Sequence, residues 1–194
     1  GLSGDEGEIR SIILDEIRPY MTDFKIDALG NLLVLKKGTG KDRLKVMLVA
    51  HMDEIGFMIA ADDGEGLFRF EINGGIDLRQ LPGKAVIVGK DHKPGVIGAR
   101  PIHLTTSSER RDKIPLNNLR IDVGPGSNKI KPGDRATFAT RFQRVGPSII
   151  GKALDDRLGV AVLMELLKHA PAELDLQVAF TVQEETGLRG ARVA

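Results

Sequence analysis

The chain of 194 residues has no cysteine and no tryptophan, and aromatic residues make up only 4% of it. Without cysteine there is no disulfide and no thiolate metal site, and a reducing, cytoplasmic setting is permitted. With seven Phe, one Tyr and no Trp, an aromatic platform for stacking nucleobases or sugars is not expected. Neither sign of charge dominates. Lys and Arg number 28 against 27 Asp and Glu, a formal net charge of +1, so no nucleic acid or other polyanionic partner is implied. The compact charged run Glu109–Lys113 mixes both signs and reads as a solvated loop. No apolar stretch approaches the roughly 20 residues that cross a bilayer as a helix, so no membrane partner is expected.

What is present is ordinary for one large or two small globular domains: 41% hydrophobic and 28% charged residues. Ser3 and Glu6 have the spacing of a capping box, and Ile9, Ile12, Ile13, Ile17 and Tyr20 then recur at helical intervals. Strands are expected at 31–37, 45–50, 55–60 and 67–72, with turns at 38–40 and 62–66. The run Val46-Met47-Leu48-Val49-Ala50 suits a strand covered on both faces, as in a parallel α/β sheet.

After Gly74-Gly75 the pattern changes. Short β-type segments at 85–88, 95–98, 119–123 and 135–138 are punctuated by Gly and Pro, as in a small all-β domain. The polar stretch 105–118 reads as a loop. An α/β pattern resumes near 149, with a helix from about Leu158 to Leu167 and an alternating strand from 174 to 182. The expected organisation is an α/β domain over 1–74 and 148–194, interrupted by a β insert over 75–147.

Three clusters carry chemistry. His51-Met52-Asp53-Glu54 follows a predicted strand, and ligands in α/β sheets bind beyond the carboxyl ends of strands. There His51 can present a ring nitrogen while Asp53 accepts the other N–H and fixes the tautomer. Asp155-Asp156 precede a helix, where acids also sit simply to match the dipole. Glu184-Glu185 end a strand, and two such carboxylates raise each other's pKa unless a cation lies between them. His, Asp and Glu donors suit zinc, cobalt or manganese in a hydrolytic site. Such ions acidify a water they hold, and an unliganded Glu can take its proton.

The order His-x-Asp-Glu, then Lys152-Ala153-Leu154-Asp155-Asp156-Arg157, then Gln183-Glu184-Glu185-Thr186-Gly187 resembles the tetrahedral, or glutamyl/deblocking, aminopeptidases. These are dinuclear metallopeptidases often mislabelled as endoglucanases. Leu2-Ser3-Gly4, Asp27-Ala28-Leu29-Gly30-Asn31, Gly74-Gly75, Arg100-Pro101-Ile102-His103, Ile121-Asp122-Val123-Gly124 and Gly133-Asp134 also look like family landmarks in family order. The resemblance implies a phosphorylase/hydrolase-like aminopeptidase catalytic domain interrupted by a barrel-like dimerisation domain. It further implies two divalent ions (Zn or Co), peptide substrates and a hollow homo-dodecamer. His51 would be a ligand of one metal, Asp155 the bridging carboxylate, Glu185 a ligand of the second metal, Glu184 the general base and Asp53 the partner of His51. Asp156 is read as a helix-start acid rather than a ligand.

The family pattern needs two further ligands, an acid and a His, beyond the Glu pair. His92 and His103 fall in the insert and His169 ends a helix, so three of five expected ligands are supplied. The expectation is therefore an amino-terminal piece of a longer enzyme, inactive alone, with metal absent or partial. Two alternatives stay open. One is a non-catalytic oligomerisation module. The other is a dizinc deacylase or carboxypeptidase, disfavoured because roughly a hundred residues, enough for a small domain, separate His51 from Asp155.

Overall fold

The computed structural model describes residues 1–21, 23–107, 114–126 and 129–194; the mixed-charge run 109–113 lies outside them. In chain order the strands are β1 (Asp23–Ile26), β2 (Leu32–Lys36), β3 (Leu44–His51), β4 (Gly56–Asp62), β5 (Leu67–Asn73), β6 (Ala85–Val88), β7 (Lys93–Ala99), β8 (Leu119–Asp122), β9 (Arg135–Phe138), β10 (Gln143–Val145), β11 (Ser148–Ile150) and β12 (Leu174–Thr181). Helix α1 spans Gly7–Ile17 and α2 Leu154–Lys168. The chain divides into two compact units, Gly1–Glu54 with Ala153–Ala194, and Ile55–Lys152. No helix among the described residues is long and apolar enough to cross a membrane.

The first unit is α/β. Its sheet has the order β1-β2-β12-β3, parallel between β12 and β3 and antiparallel elsewhere. Alternation in β12 buries Leu176, Val178 and Phe180, and the helical spacing of Ile13 with Ile17 and of Val160, Leu163 and Leu167 turns apolar stripes onto the same core. Phe180 is fully buried, so truncating it to Ala would cost about 3–5 kcal/mol.

Two local expectations are corrected here. The run 46–50 is not covered on both faces: Met47 is 46% and Val49 51% exposed, while Val46 and Leu48 pack on the core. The strand β3 alternates, and a continuous apolar run does not by itself report how many faces are covered. Nor do Ser3 and Glu6 form a capping box. The N-cap of α1 is Glu6 itself, with no side-chain cap bond, and both side chains are used elsewhere.

The second unit is a closed barrel in the order β4-β5-β8-β7-β6-β9, followed by the separate hairpin β10-β11. Its core holds Phe57, Ile59, Phe68, Phe70, Val86, Val88, Ile97, Leu119 and Ile121. Phe57 sits edge-on to Phe70 at 5.1 Å and to Phe138 at 5.2 Å between ring centroids. Closure leaves the barrel without a free sheet edge. The first unit ends at residue 54 rather than at the expected 74. The strands β4 and β5 carry a period-two pattern that announces strands but not their partners, and they pair with β9 and β8 of the barrel. The second expected boundary, 147, moves to 152 because the hairpin belongs to this unit.

Candidate metal centre

All the candidate residues lie in the first unit. The parallel register pairs Thr181 with His51 at the ends of β12 and β3, and Met52 N–H donates to the Thr181 carbonyl at 2.7 Å. The segments leaving the two strands therefore run side by side. One carries His51 and Asp53, the other Glu184 and Glu185, at the carboxyl edge of the sheet where such folds bind ligands.

Asp155 and Asp156 come from the start of α2. Neither has helical dihedrals, the peptide bond between them is cis, and Ala153 before them is left-handed. Asp156 Oδ1 accepts Gly159 N–H at 3.0 Å, which is N-cap geometry, while Oδ2 accepts His51 N–H at 3.2 Å. The side chain thus ties the helix start to the strand end. A Cβ at 159 would lie 2.2 Å from Asp156 Oδ1, so a side chain there must push the carboxylate off the amides it holds.

His51 is 9% exposed. Its Nδ1 lies 3.1 Å from the Asp53 carbonyl oxygen and 3.5 Å from Asp53 Oδ1, so the nearer partner is the backbone. Its Nε2 points to the acids, 3.2 Å from Asp155 Oδ1 and 3.7 Å from Glu184 Oε2. Ligand atoms of His51, Glu184 and Glu185 all lie within 4.8 Å of one another, a cluster able to hold a metal ion. The Asp155 side chain is 89% exposed, that of Glu184 33%.

The electrostatics match that crowding. Burial alone would lower the His51 pKa, but the hydrogen bond and charge of Asp53, the bond from Asp155 and the charge of Glu184 raise it from 6.5 to about 9. Burial would raise Asp53, yet its bonds from His51, Ser3 and the Glu184 and Glu185 amides lower it from 3.8 to about 2. Glu185 is pushed up by burial and then by the negative charge of Glu184. A cation among these groups would replace the proton on His51 and relieve the Glu pair. The donor set of one imidazole and several carboxylates fits a zinc-like or cobalt-like ion.

The framework that holds the Glu pair has no local signature in the sequence. Asp53 is fully buried and accepts Ser3 Oγ–H at 2.6 Å, Glu184 N–H at 3.0 Å and Glu185 N–H at 3.1 Å. Gln183 has φ of 53°, a left-handed conformation that costs a non-glycine residue about 1–2 kcal/mol. Beyond it, residues 185–193 form successive turns and bends, with Gly187 and Leu188 also at positive φ. His169 is the C-cap of α2, with Nε2 3.1 Å from Glu165 Oε1 one turn earlier.

Residues 30–194 match the profile of the M42 glutamyl aminopeptidase family. The lysyl aminopeptidase of Pyrococcus furiosus is 33% identical over 206 residues, covering 100% of this chain and 59% of its own length. Among solved structures, the TET1 peptidase of Pyrococcus horikoshii, which can assemble into a tetrahedron or a large octahedral shell, superposes with a TM-score of 0.84. It is 41% identical, over 99% of this chain and 60% of its own. A Thermotoga maritima protein described as an endoglucanase superposes with a TM-score of 0.81 and 36% identity, over 100% and 59% of the two chains. The chain thus spans about three-fifths of the relatives it matches.

Proposed function

The chain belongs to the M42 glutamyl aminopeptidase family, and from that premise we propose that it carries the metal-binding half of an aminopeptidase active site. The observation that carries this reading is the convergence of His51, Glu184 and Glu185 within 4.8 Å, with Asp155 on the same His51 nitrogen.

Divalent ions, when bound, supply Lewis acidity toward the scissile carbonyl and a water acidic enough to lose its proton near neutral pH. His51, Asp155 and Glu185 are the residues that would hold them, Asp155 from the exposed side. Asp53 orients His51 through Nδ1 and leaves Nε2 facing the acids. Glu184 takes the proton of the attacking water and returns it to the leaving amine. Its carboxylate is only partly buried and no cation other than His51 pairs with it among the described residues, which suits a base. The substrate is the amino-terminal residue of a peptide.

The barrel unit is proposed to mediate homo-oligomer formation. The closed barrel has no sheet edge to offer, so association through the barrel would run through side chains on its outer surface, while the exposed hairpin β10-β11 does carry edges. TET1 peptidases are described as a dodecamer and as assembling into a tetrahedron or a large octahedral shell, which supports a homo-oligomer, with a dodecamer as the proposed form here.

The test is substrate discrimination by the intact enzyme. Hydrolysis of an aminoacyl-anilide, lost with a chelator and restored by Zn or Co, with no action on the N-acylated analogue, is the expected result. Preference for the acylated substrate would favour a deacylase. Metal-independent mass by light scattering with no turnover under any metal would favour a non-catalytic assembly module. The 194-residue chain alone, with three of the five ligands implied by the family pattern, is expected to bind metal weakly and to cleave neither substrate.

A further inference from the structure

Four consecutive amides enter the Glu pair, and each is held by a side chain from elsewhere in the chain. Val182 N–H donates to Asn31 Oδ1 at 3.0 Å and Gln183 N–H to Glu6 Oε1 at 3.0 Å. Glu184 N–H and Glu185 N–H donate to the two oxygens of Asp53. All three acceptors are buried: Asn31 and Asp53 completely, Glu6 to 4% exposure. None of this is secondary structure, since β12 ends at Thr181.

Burying two carboxylates is costly unless each accepts several hydrogen bonds. A stretch that needed only to turn a corner could satisfy its amides with water. The acceptors are themselves fixed. Glu6 Oε1 also takes Gly4 N–H at 2.8 Å, Ser3 Oγ–H donates to Asp53, and Asn31 Nδ2 is shared between Asp27 Oδ2 at 2.7 Å and the Gly190 carbonyl at 2.9 Å. The left-handed residue Gln183 is the one held by Glu6, and its turn aims the next side chain, Glu184, at His51 Nε2.

We propose that Glu6, acting beside Asn31 and the Ser3-bound Asp53, is a positioning residue that sets where the Glu184–Glu185 carboxylates stand relative to His51. This makes the segment ahead of α1 part of the active-site framework. The proposal rests on the metal-site reading above for its functional meaning, while the clamp itself is a statement about four amides.

The two are separable on this 194-residue chain. Amide hydrogen exchange is measured at Gln183 in Glu6→Ala, Glu6→Asp and Glu6→Gln, beside Co(II) titration followed by visible absorption. Ala removes the acceptor and Asp withdraws it, so exchange at Gln183 rises at least roughly tenfold while amides in β12 are unchanged. Co(II) affinity falls by a similar factor in both. Gln keeps an oxygen at that point and restores both readouts. Should Ala fail to fold, Asp carries the test. Exchange at Gln183 equal to wild type in Ala and Asp overturns the clamp. A loss in Gln as large as in Ala shows that charge, not the hydrogen bond, matters, and overturns it too. If the intact enzyme binds no Co(II) yet the exchange pattern holds, the metal reading fails and the clamp stands.

Discussion

Asp53 accepts the backbone N–H of Glu184 at 3.0 Å while its carbonyl oxygen stands 3.1 Å from His51 Nδ1, so one buried residue fixes both the proposed ligand and the proposed base. In Asp53→Asn one oxygen becomes an N–H₂ donor facing an amide donor or Ser3. Loss of that acceptor is expected to destabilise the chain by about 1–3 kcal/mol, read from urea unfolding. Metal affinity is expected to fall about 10–100-fold, because one of the Glu184 and Glu185 amides loses its acceptor and His51 loses the carboxylate 3.5 Å from Nδ1. A variant as stable and as tight as wild type would show that Asp53 does not organise the site.

The His51–Asp53 pair also sets a pH window for the metal-free chain. Folding raises His51 from 6.5 to about 9, so its contribution is complete below pH 6.5 and lost as pH rises through about 9. Folding lowers Asp53 from 3.8 to about 2, so its contribution is complete above pH 3.8 and lost as pH falls through about 2. Both are therefore whole between pH 3.8 and 6.5. Urea midpoints across pH should show a decline between 6.5 and about 9 that is absent in His51→Gln. An unchanged alkaline slope in that variant would contradict the assignment.

Metal binding should in turn displace the His51 proton. With the pKa raised to about 9, the imidazole is protonated at neutral pH and must lose its proton to ligate. Calorimetry of Co(II) or Zn(II) binding in buffers of different ionisation enthalpy is expected to report release of about one proton at pH 7.5. Binding without proton release would mean that His51 is not a ligand.

The helix start offers a structural test. Asp156→Ala removes the acceptor of both Gly159 N–H and His51 N–H and is expected to cost about 1–2 kcal/mol, the range of a lost N-cap. Gly159→Ala drives a Cβ to 2.2 Å from the Asp156 carboxylate and is expected to cost about 1–3 kcal/mol by overpacking. Urea unfolding of both variants decides; a neutral Gly159→Ala would show that the carboxylate can move aside freely.

Much of this was legible in the chain because strands and ligands announce themselves locally. The alternation of 174–182 and the apolar run 46–50 marked the two parallel strands, and their polar ends marked His51 and Glu184-Glu185. Asp156 was legible as a helix-start acid because capping is local. What local pattern hides is partnership. Ser3 and Glu6 fit a capping box, yet Ser3 bonds a residue 50 positions away and Glu6 one 177 positions away. The strands β4 and β5 read correctly as strands but were given to the wrong unit, because a period of two carries no address for its neighbour. The two-faced burial expected of 46–50 failed for a related reason: apolar residues do not name what covers them.

The most direct measurement is Glu184→Gln in the intact enzyme, assayed for aminoacyl-anilide hydrolysis and for bound metal on the same sample. Gln keeps the side chain's size and its backbone bond to Asp53 but cannot take a proton. The expected result is turnover reduced by roughly a hundredfold or more, with the metal content of wild type. Near-normal turnover, or loss of metal together with activity, would contradict the role of Glu184 as base beside a site built by His51, Asp155 and Glu185.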